Sequence, residues 1–220
     1  MKSNISKNYL LFTSIISLIF ILNIKCSKTQ DVVPIEDTTT PIDSTNNVYY
    51  GFVLNEVLYD PPSGNAGDAN GDGNRDANQD EFVEFVNSSE YSLDISGYKL
   101  FDSDRLAANT PNHQFPTNTV LSPGQAVVVF GGGTPNGSFG DALIFTSSNQ
   151  VLNLTNSGDV LTVKNNNDSV LFSFDVTSLS NNPNESYTRF PDLYGNFTQH
   201  DSASTGILYS PGTRVDGTDF

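Results

Sequence analysis

The chain has 220 residues, 36% of them hydrophobic, and a formal net charge of −15, which suits one globular domain with added segments rather than two cores. A domain of roughly 170 residues buries about 70% of its unfolded surface, so it folds without disulfides, and a single cysteine excludes a disulfide framework. The acidic charge repels phosphate backbones and anionic head groups, which excludes nucleic acid as a partner class and favours divalent cations.

At the N-terminus Lys2 and Lys7 form a positive start, and Tyr9 to Ile24 an uncharged, mostly apolar stretch that is short for a membrane span. Cys26 follows directly. The arrangement resembles a bacterial lipoprotein signal of Bacteroidota type, which implies residues 1–25 as the signal and Cys26 as the acylated first residue of the mature chain. Asn23, Ile24 and Lys25 depart from the usual residues before such a cysteine, so an uncleaved anchor stays open. Either arrangement tethers the protein to the cell envelope, and the resemblance implies the outer membrane. Residues 26–48 are rich in Thr, Asp and Pro and form an extended, flexible tether. Within it Asp37-Thr38-Thr39 and Asp43-Ser44-Thr45 resemble Bacteroidota O-glycosylation triplets.

From residue 49 the chain changes to short runs rich in Val, Ile, Phe and Tyr between Gly, Pro, Asn, Asp and Ser clusters, with no helical periodicity. The first predicted strand is Tyr50 to Tyr59. An acidic insertion at 68–81 (DANGDGNRDANQDE) comes next, presenting oxygen-bearing side chains at alternate positions. Calcium takes six to eight oxygen ligands, and a loop coiled about the ion turns alternate residues inward. The candidate ligands are Asp68, Asn70, Asp72, Asn74 and Asp76, with Asp80 or Glu81 closing the shell. The opening of this loop resembles dockerin and thrombospondin type 3 calcium loops. Its end departs from the EF-hand, with Gln79 where a Glu would stand. Only Arg75 offers a counter-charge, so the crowd of carboxylates favours a bound Ca2+.

Predicted strands follow at Glu81 to Asn87 and Ser96 to Phe101, with Gly97 suggesting a bulge or a close backbone approach. Ser122-Pro123-Gly124-Gln125 reads as a type II turn into a strand at Gln125 to Phe130. The loop Gly131 to Ser138 lacks the Lys and following helix of a phosphate-binding loop; its small residues suit a close fold between strands. Further strands are expected at Ala142 to Phe145, Asp159 to Lys164, Ser169 to Asp175 and Glu185 to Arg189. Ser210-Pro211-Gly212-Thr213 repeats the type II signal. Alternation within several runs gives one buried and one wet face, so the fold class is all-β, a sandwich of short, mostly antiparallel strands.

The catalytic inventory is thin. His113 and His200 read as surface-loop residues about ninety positions apart, no spacing suggests zinc, and no Gly-x-Ser-x-Gly elbow is present. Glu81 or Glu84 with Asp175 could supply paired carboxylates, but nothing in the spacing selects them.

The segments VLNEVLYDPP, DEFVEFVNSSEYSLDISGYKL, LSPGQAVVVFGGG, LNLTNSGDVLTV, ESYTRFPD and SPGTRVDG resemble, in order and spacing, a bacterial lamin tail domain. The resemblance implies an immunoglobulin-like β-sandwich over residues 49–220 and an interaction module without a shared catalytic motif, standing alone on a lipoprotein. The function expected is an envelope-anchored, calcium-stabilised interaction or adhesion module, its partner an envelope or extracellular protein or glycan. The alternative is an envelope hydrolase, or an accessory subunit of one, using a carboxylate and calcium site.

Overall fold

A computed structural model describes residues 48–178 and 183–220; the signal and tether expected at 1–25 and 26–48, Cys26 included, lie outside the described residues apart from Val48. In chain order the elements are β1 (Val48–Tyr49), β2 (Phe52–Leu58), β3 (Phe82–Asn87), β4 (Leu93–Asp94), β5 (Lys99–Phe101), α1 (Ser103–Ala108), β6 (His113–Gln114), β7 (Val120–Leu121), β8 (Ala126–Phe130), β9 (Leu143–Thr146), β10 (Val160–Lys164), β11 (Val170–Asp175), β12 (Tyr187–Phe190), β13 (Asn196–Gln199) and α2 (His200–Ala203). A large sheet runs β13-β12-β2-β3-β8-β9, with β1 paired to β2. A smaller sheet runs β11-β10-β5-β6, and β4 pairs with β7. All pairs are antiparallel except β8 with β9.

Alternation along the strands divides the large sheet's side chains between two faces. Phe52, Leu54, Val57, Val83, Phe85, Val127 and Val129 enter the main core, where they meet Leu100, Leu161, Val163 and Phe172 of the smaller sheet. The opposite face carries Leu58, Phe82, Val128 and Phe130, then Val86 and Ala126. This outer face is also covered, by Ala69, Phe139, Tyr209 and Leu193. Every residue of β2, β3 and β8 is therefore buried, and polar residues on the outer face must find partners in the covering segments.

All eight predicted strands are present, within three residues at either end. The principal difference is at Ser96–Phe101. Only Lys99–Phe101 is extended there, and Gly97, at φ +77°, sits in a turn closed by Tyr98 N–H donating to the Ile95 carbonyl at 3.0 Å. The helix α1 was not expected. It has no buried residue and hence no apolar periodicity, and is held by its ends: Asp102 accepts from Arg105 N–H at 2.6 Å, and Asn109 closes it at φ 51°. Both type II turns are present, with Gly124 at φ +77° and Gly212 at φ +82°. Gln125 N–H donates to Ser122 O, and Thr213 N–H to Ser210 O, each at 3.0 Å.

Candidate functional site

The acidic insertion lies where β2 ends and β3 begins, on the same end of the large sheet as the end of β8. Its carboxylates are turned onto the loop's own backbone. Asp68 accepts Asp72 N–H at 3.1 Å and Gly73 N–H at 2.9 Å. Asn70 Oδ1 accepts Asp72 N–H at 3.0 Å, and Asp72 accepts Asn74 N–H at 2.9 Å. Asp76 accepts Asn78 and Gln79 N–H, and the buried Asp80 accepts Asn70 N–H at 3.0 Å and Asp76 N–H at 2.7 Å. Burial pushes the Asp80 carboxyl above its usual range against these bonds. Arg75 does not neutralise the cluster: its guanidinium donates to the Pro61 and Pro62 carbonyls.

The loop docks on the glycine triplet sixty residues away. Asn70 Nδ2 donates to the Gly132 carbonyl at 3.2 Å, Thr134 N–H donates to Asp72 at 3.1 Å, and Asn136 N–H to the Asn70 carbonyl at 2.9 Å. A Cβ at Gly131 would stand 1.8 Å from the Asn78 carbonyl oxygen, so only glycine permits this approach.

Of the predicted calcium ligands, the structure draws Asp68, Asn70, Asp72 and Asp80 onto one turn and leaves Asn74 and Asp76 exposed on its outer side. Glu81 does not join them. Adjacent residues at the start of a strand project to opposite faces, and Glu81 accepts Leu154 N–H at 3.3 Å. Burial and the nearby Asp159 and Asp102 push its carboxyl well above the usual range. No group of three or more His, Cys, Asp or Glu among the described residues is placed to hold a metal. The oxygen-only donor set suits calcium in chemistry, and as folded its carboxylates bond the loop's own backbone.

A second polar cluster, not foreseen, sits on the outer face. Glu56 and Glu84 stand directly opposite one another on β2 and β3, both fully buried. Glu56 accepts the Ser186 hydroxyl at 2.6 Å, Ser210 N–H at 2.9 Å and the Ser210 hydroxyl at 2.8 Å. Glu84 accepts Gly212 N–H at 2.6 Å and Asn55 Nδ2 at 2.9 Å. Asn55 occupies a bulge in β2 and also accepts Leu193 N–H at 2.8 Å. Burial raises both glutamate carboxyls, Glu84 well above its usual range with the added repulsion of Glu56. The cluster fastens the segment around Ser210 and Gly212 across the sheet.

His200 completes it. Its Nε2 lies 2.9 Å from Ser210 Oγ and 4.0 Å from Glu56 Oε2. Its Nδ1 lies 3.0 Å from the Ile207 carbonyl, and since a carbonyl only accepts, Nδ1 carries a proton. The surface placement expected of both histidines is wrong: His200 is fully buried, and His113 is buried against Phe115 and Phe145. Burial lowers the His113 pKa to about 4, while its Nδ1 meets the Thr146 carbonyl at 3.1 Å. The Ser–His approach resembles a nucleophile and base in distance only. The hydroxyl is already donated to Glu56, the imidazole's far nitrogen faces a carbonyl and not a carboxylate, and the group is buried. Sequence signals for this cluster existed only singly, as glutamates at outward positions of apolar strands and a histidine before a Ser-Pro-Gly turn.

Residues 49–216 match the family model described as Lamin Tail Domain. No curated protein matches the chain.

Proposed function

The chain belongs to the lamin tail domain family, an immunoglobulin-like and generally non-enzymatic family, and on that premise we propose that it is an interaction module tethered to the cell envelope. The observation that carries this reading is the fate of the catalytic residue types. The Glu56–Ser210–His200 group is buried and holds a covering segment on the sheet, so the one Ser–His approach described here serves packing.

Two finer elements complete the proposal. Cys26 carries the lipid anchor, which its position directly after the apolar stretch supports. Calcium tightens the Asp68–Asp80 loop, supported by the alternating oxygen donors and by the commitment of Arg75 to Pro61 and Pro62. The purified full chain is screened against ester, peptide, phosphoester and glycoside substrates beside a capture from envelope extract. Saturable capture without turnover supports the module. Turnover that disappears in Ser210→Ala overturns it.

A further inference from the structure

The large hydrophobic side chains left in solvent are not scattered. Among the described residues they are Tyr50, Tyr91, Val120, Val170, Phe190, Tyr194 and Ile207. The four aromatic ones lie at one end of the large sheet, opposite to the acidic insertion, three in loops and Phe190 as the last residue of β12. Register fixes this. Phe52 pairs with Asn87 and Val86 with Ala126, which puts the Tyr50-Gly51 turn, the Ser88 to Tyr91 segment and the Ser122 to Gln125 turn at one end. The β12–β13 hairpin, closing at Phe190 and Asn196, points its tip the same way. Strands lie about 4.8 Å apart, so the hairpin tip and the turn before β8, three strands on, are about 14 Å apart. Tyr91 is 73% and Tyr194 80% exposed.

Exposed carboxylates share these loops with the rings. Glu90, Asp141, Asp216 and Asp219 are exposed on the loops and segments at this end. Asp141 and Asp219, with Gln125 and Phe220, line a cleft of about 350 Å³. The basic residues nearby are committed within the fold. Arg189 donates to the Leu54 and Gly195 carbonyls and covers Phe197. Arg214 covers Phe220, Lys99 pairs with Asp168, and Lys164 lies over Phe101. Arg214 lies close enough to Asp216 to lower its carboxyl, with the Thr218 hydrogen bonds the larger cause, while Glu90, Asp141 and Asp219 stand exposed beside the phenol faces, and that combination matches one ligand chemistry best. A guanidinium stacks on an aromatic face and forks to a carboxylate at its edge. Anionic partners are repelled by the net charge of −15.

We propose that this aromatic, acidic end of the sandwich docks a cationic, arginine-bearing segment of a partner protein. The inference rests on the module reading above and names the partner's class. Loops clustered at one end of an immunoglobulin-like sandwich, with Tyr among Ser, Gly and Asn, offer rigid contact area at low entropic cost.

The test uses the full chain in detergent and a fluorescent peptide of alternating Arg and Gly, read by anisotropy against Lys-Gly and Gln-Gly peptides of equal length. The Arg peptide binds saturably and more tightly than the Lys peptide, and the Gln peptide does not bind. A Tyr91→Ser/Tyr194→Ser double variant keeps the net charge and, with both sites exposed, the melting temperature. It weakens Arg-peptide binding about tenfold, the loss of two exposed cation–π contacts. Asp104→Asn, an exposed change of one charge on α1, leaves binding unchanged. Equal binding of Arg and Lys peptides, or full affinity in the double variant, reduces the effect to bulk charge and overturns the proposal. So does capture of a neutral oligosaccharide panel through the same tyrosines in place of the Arg peptide. Either failure leaves the absence of turnover, and hence the module reading, to stand on its own test.

Discussion

Removing the Glu56 side chain tests whether the buried cluster is a structural latch. In Glu56→Ala three donors lose their acceptor: the Ser186 hydroxyl, the Ser210 hydroxyl and the Ser210 backbone N–H. A hydroxyl can rotate, and that of Ser210 has His200 Nε2 at 2.9 Å as its alternative. The backbone N–H cannot, and an orphaned buried donor costs about 1–3 kcal/mol. With the emptied volume and the loss of the carboxylate beside His200, the total is about 3–5 kcal/mol. For a domain of this size each kcal/mol moves Tm by about 2–4 °C, so the Ala variant melts on the order of 10 °C lower. Glu56→Gln behaves differently. Its amide oxygen still accepts Ser210 N–H and the Ser186 hydroxyl, while its NH2 donates to Ser210 Oγ, whose proton turns to His200 Nε2. That variant stays within about 1 kcal/mol of wild type. Circular dichroism melting at neutral pH compares the three proteins. An Ala variant that melts with wild type, or a Gln variant as unstable as Ala, refutes the latch.

Calcium at a hundred times its Kd adds about 2.7 kcal/mol, so melting in millimolar calcium lies several degrees above melting in chelator, and Asp72→Ala removes most of the difference; identical curves with no calorimetric heat defeat the calcium proposal. Gly131→Ala puts a methyl against the Asn78 carbonyl, which costs at least about 1–3 kcal/mol and loosens the 68–81 loop, read as faster amide exchange there than in β2. His113 has a folded pKa of about 4 against a usual 6.5, so the unfolded chain takes the proton first. Its contribution is complete above pH 6.5 and is lost as pH falls towards 4, on the order of 3 kcal/mol. The buried Glu56, Glu81 and Glu84 act oppositely, since raised carboxyl pKa values give stability below 4.5 that is lost as pH rises through the folded values. The His113→Phe variant isolates the first effect: its Tm difference from wild type shifts in the variant's favour between pH 6.5 and 4, and a constant difference counts against the assignment.

Period-two alternation made most of the fold legible, because strands such as Val160–Lys164 alternate, with Leu161 and Val163 in the core and the ends half-exposed, although Thr162 between them is buried too. It failed where structure is not set by periodicity. The two-residue strands β4, β6 and β7 are too short to show a pattern, and α1 is a capped turn of exposed residues. The family resemblance was carried by segments that the fold places in β2, β3, β8, β10 and β12. The acidic insertion was legible in its donors but not in their use: repulsion among carboxylates is offset by backbone N–H groups that sequence spacing does not count. Of the two residues expected to close the shell, Asp80 takes the loop side, while its neighbour Glu81 accepts Leu154 N–H. The latch was hidden for a deeper reason. Glu56 and Glu84 sit in strands that read as half-wet, and it is later segments, the one around Ser210 foremost for these two glutamates, that bury the second face.

In the module proposed above, the Ser–His–Glu convergence packs the domain, and its serine stays unreactive. The most direct measurement treats the native full chain with an organophosphorus serine reagent and maps adducts by peptide mass spectrometry. A buried hydroxyl donated to Glu56 predicts no adduct at Ser210 in the folded protein, with labelling no greater than in His200→Ala. Stoichiometric modification of Ser210 in the wild type, lost when His200 is replaced, would contradict the account.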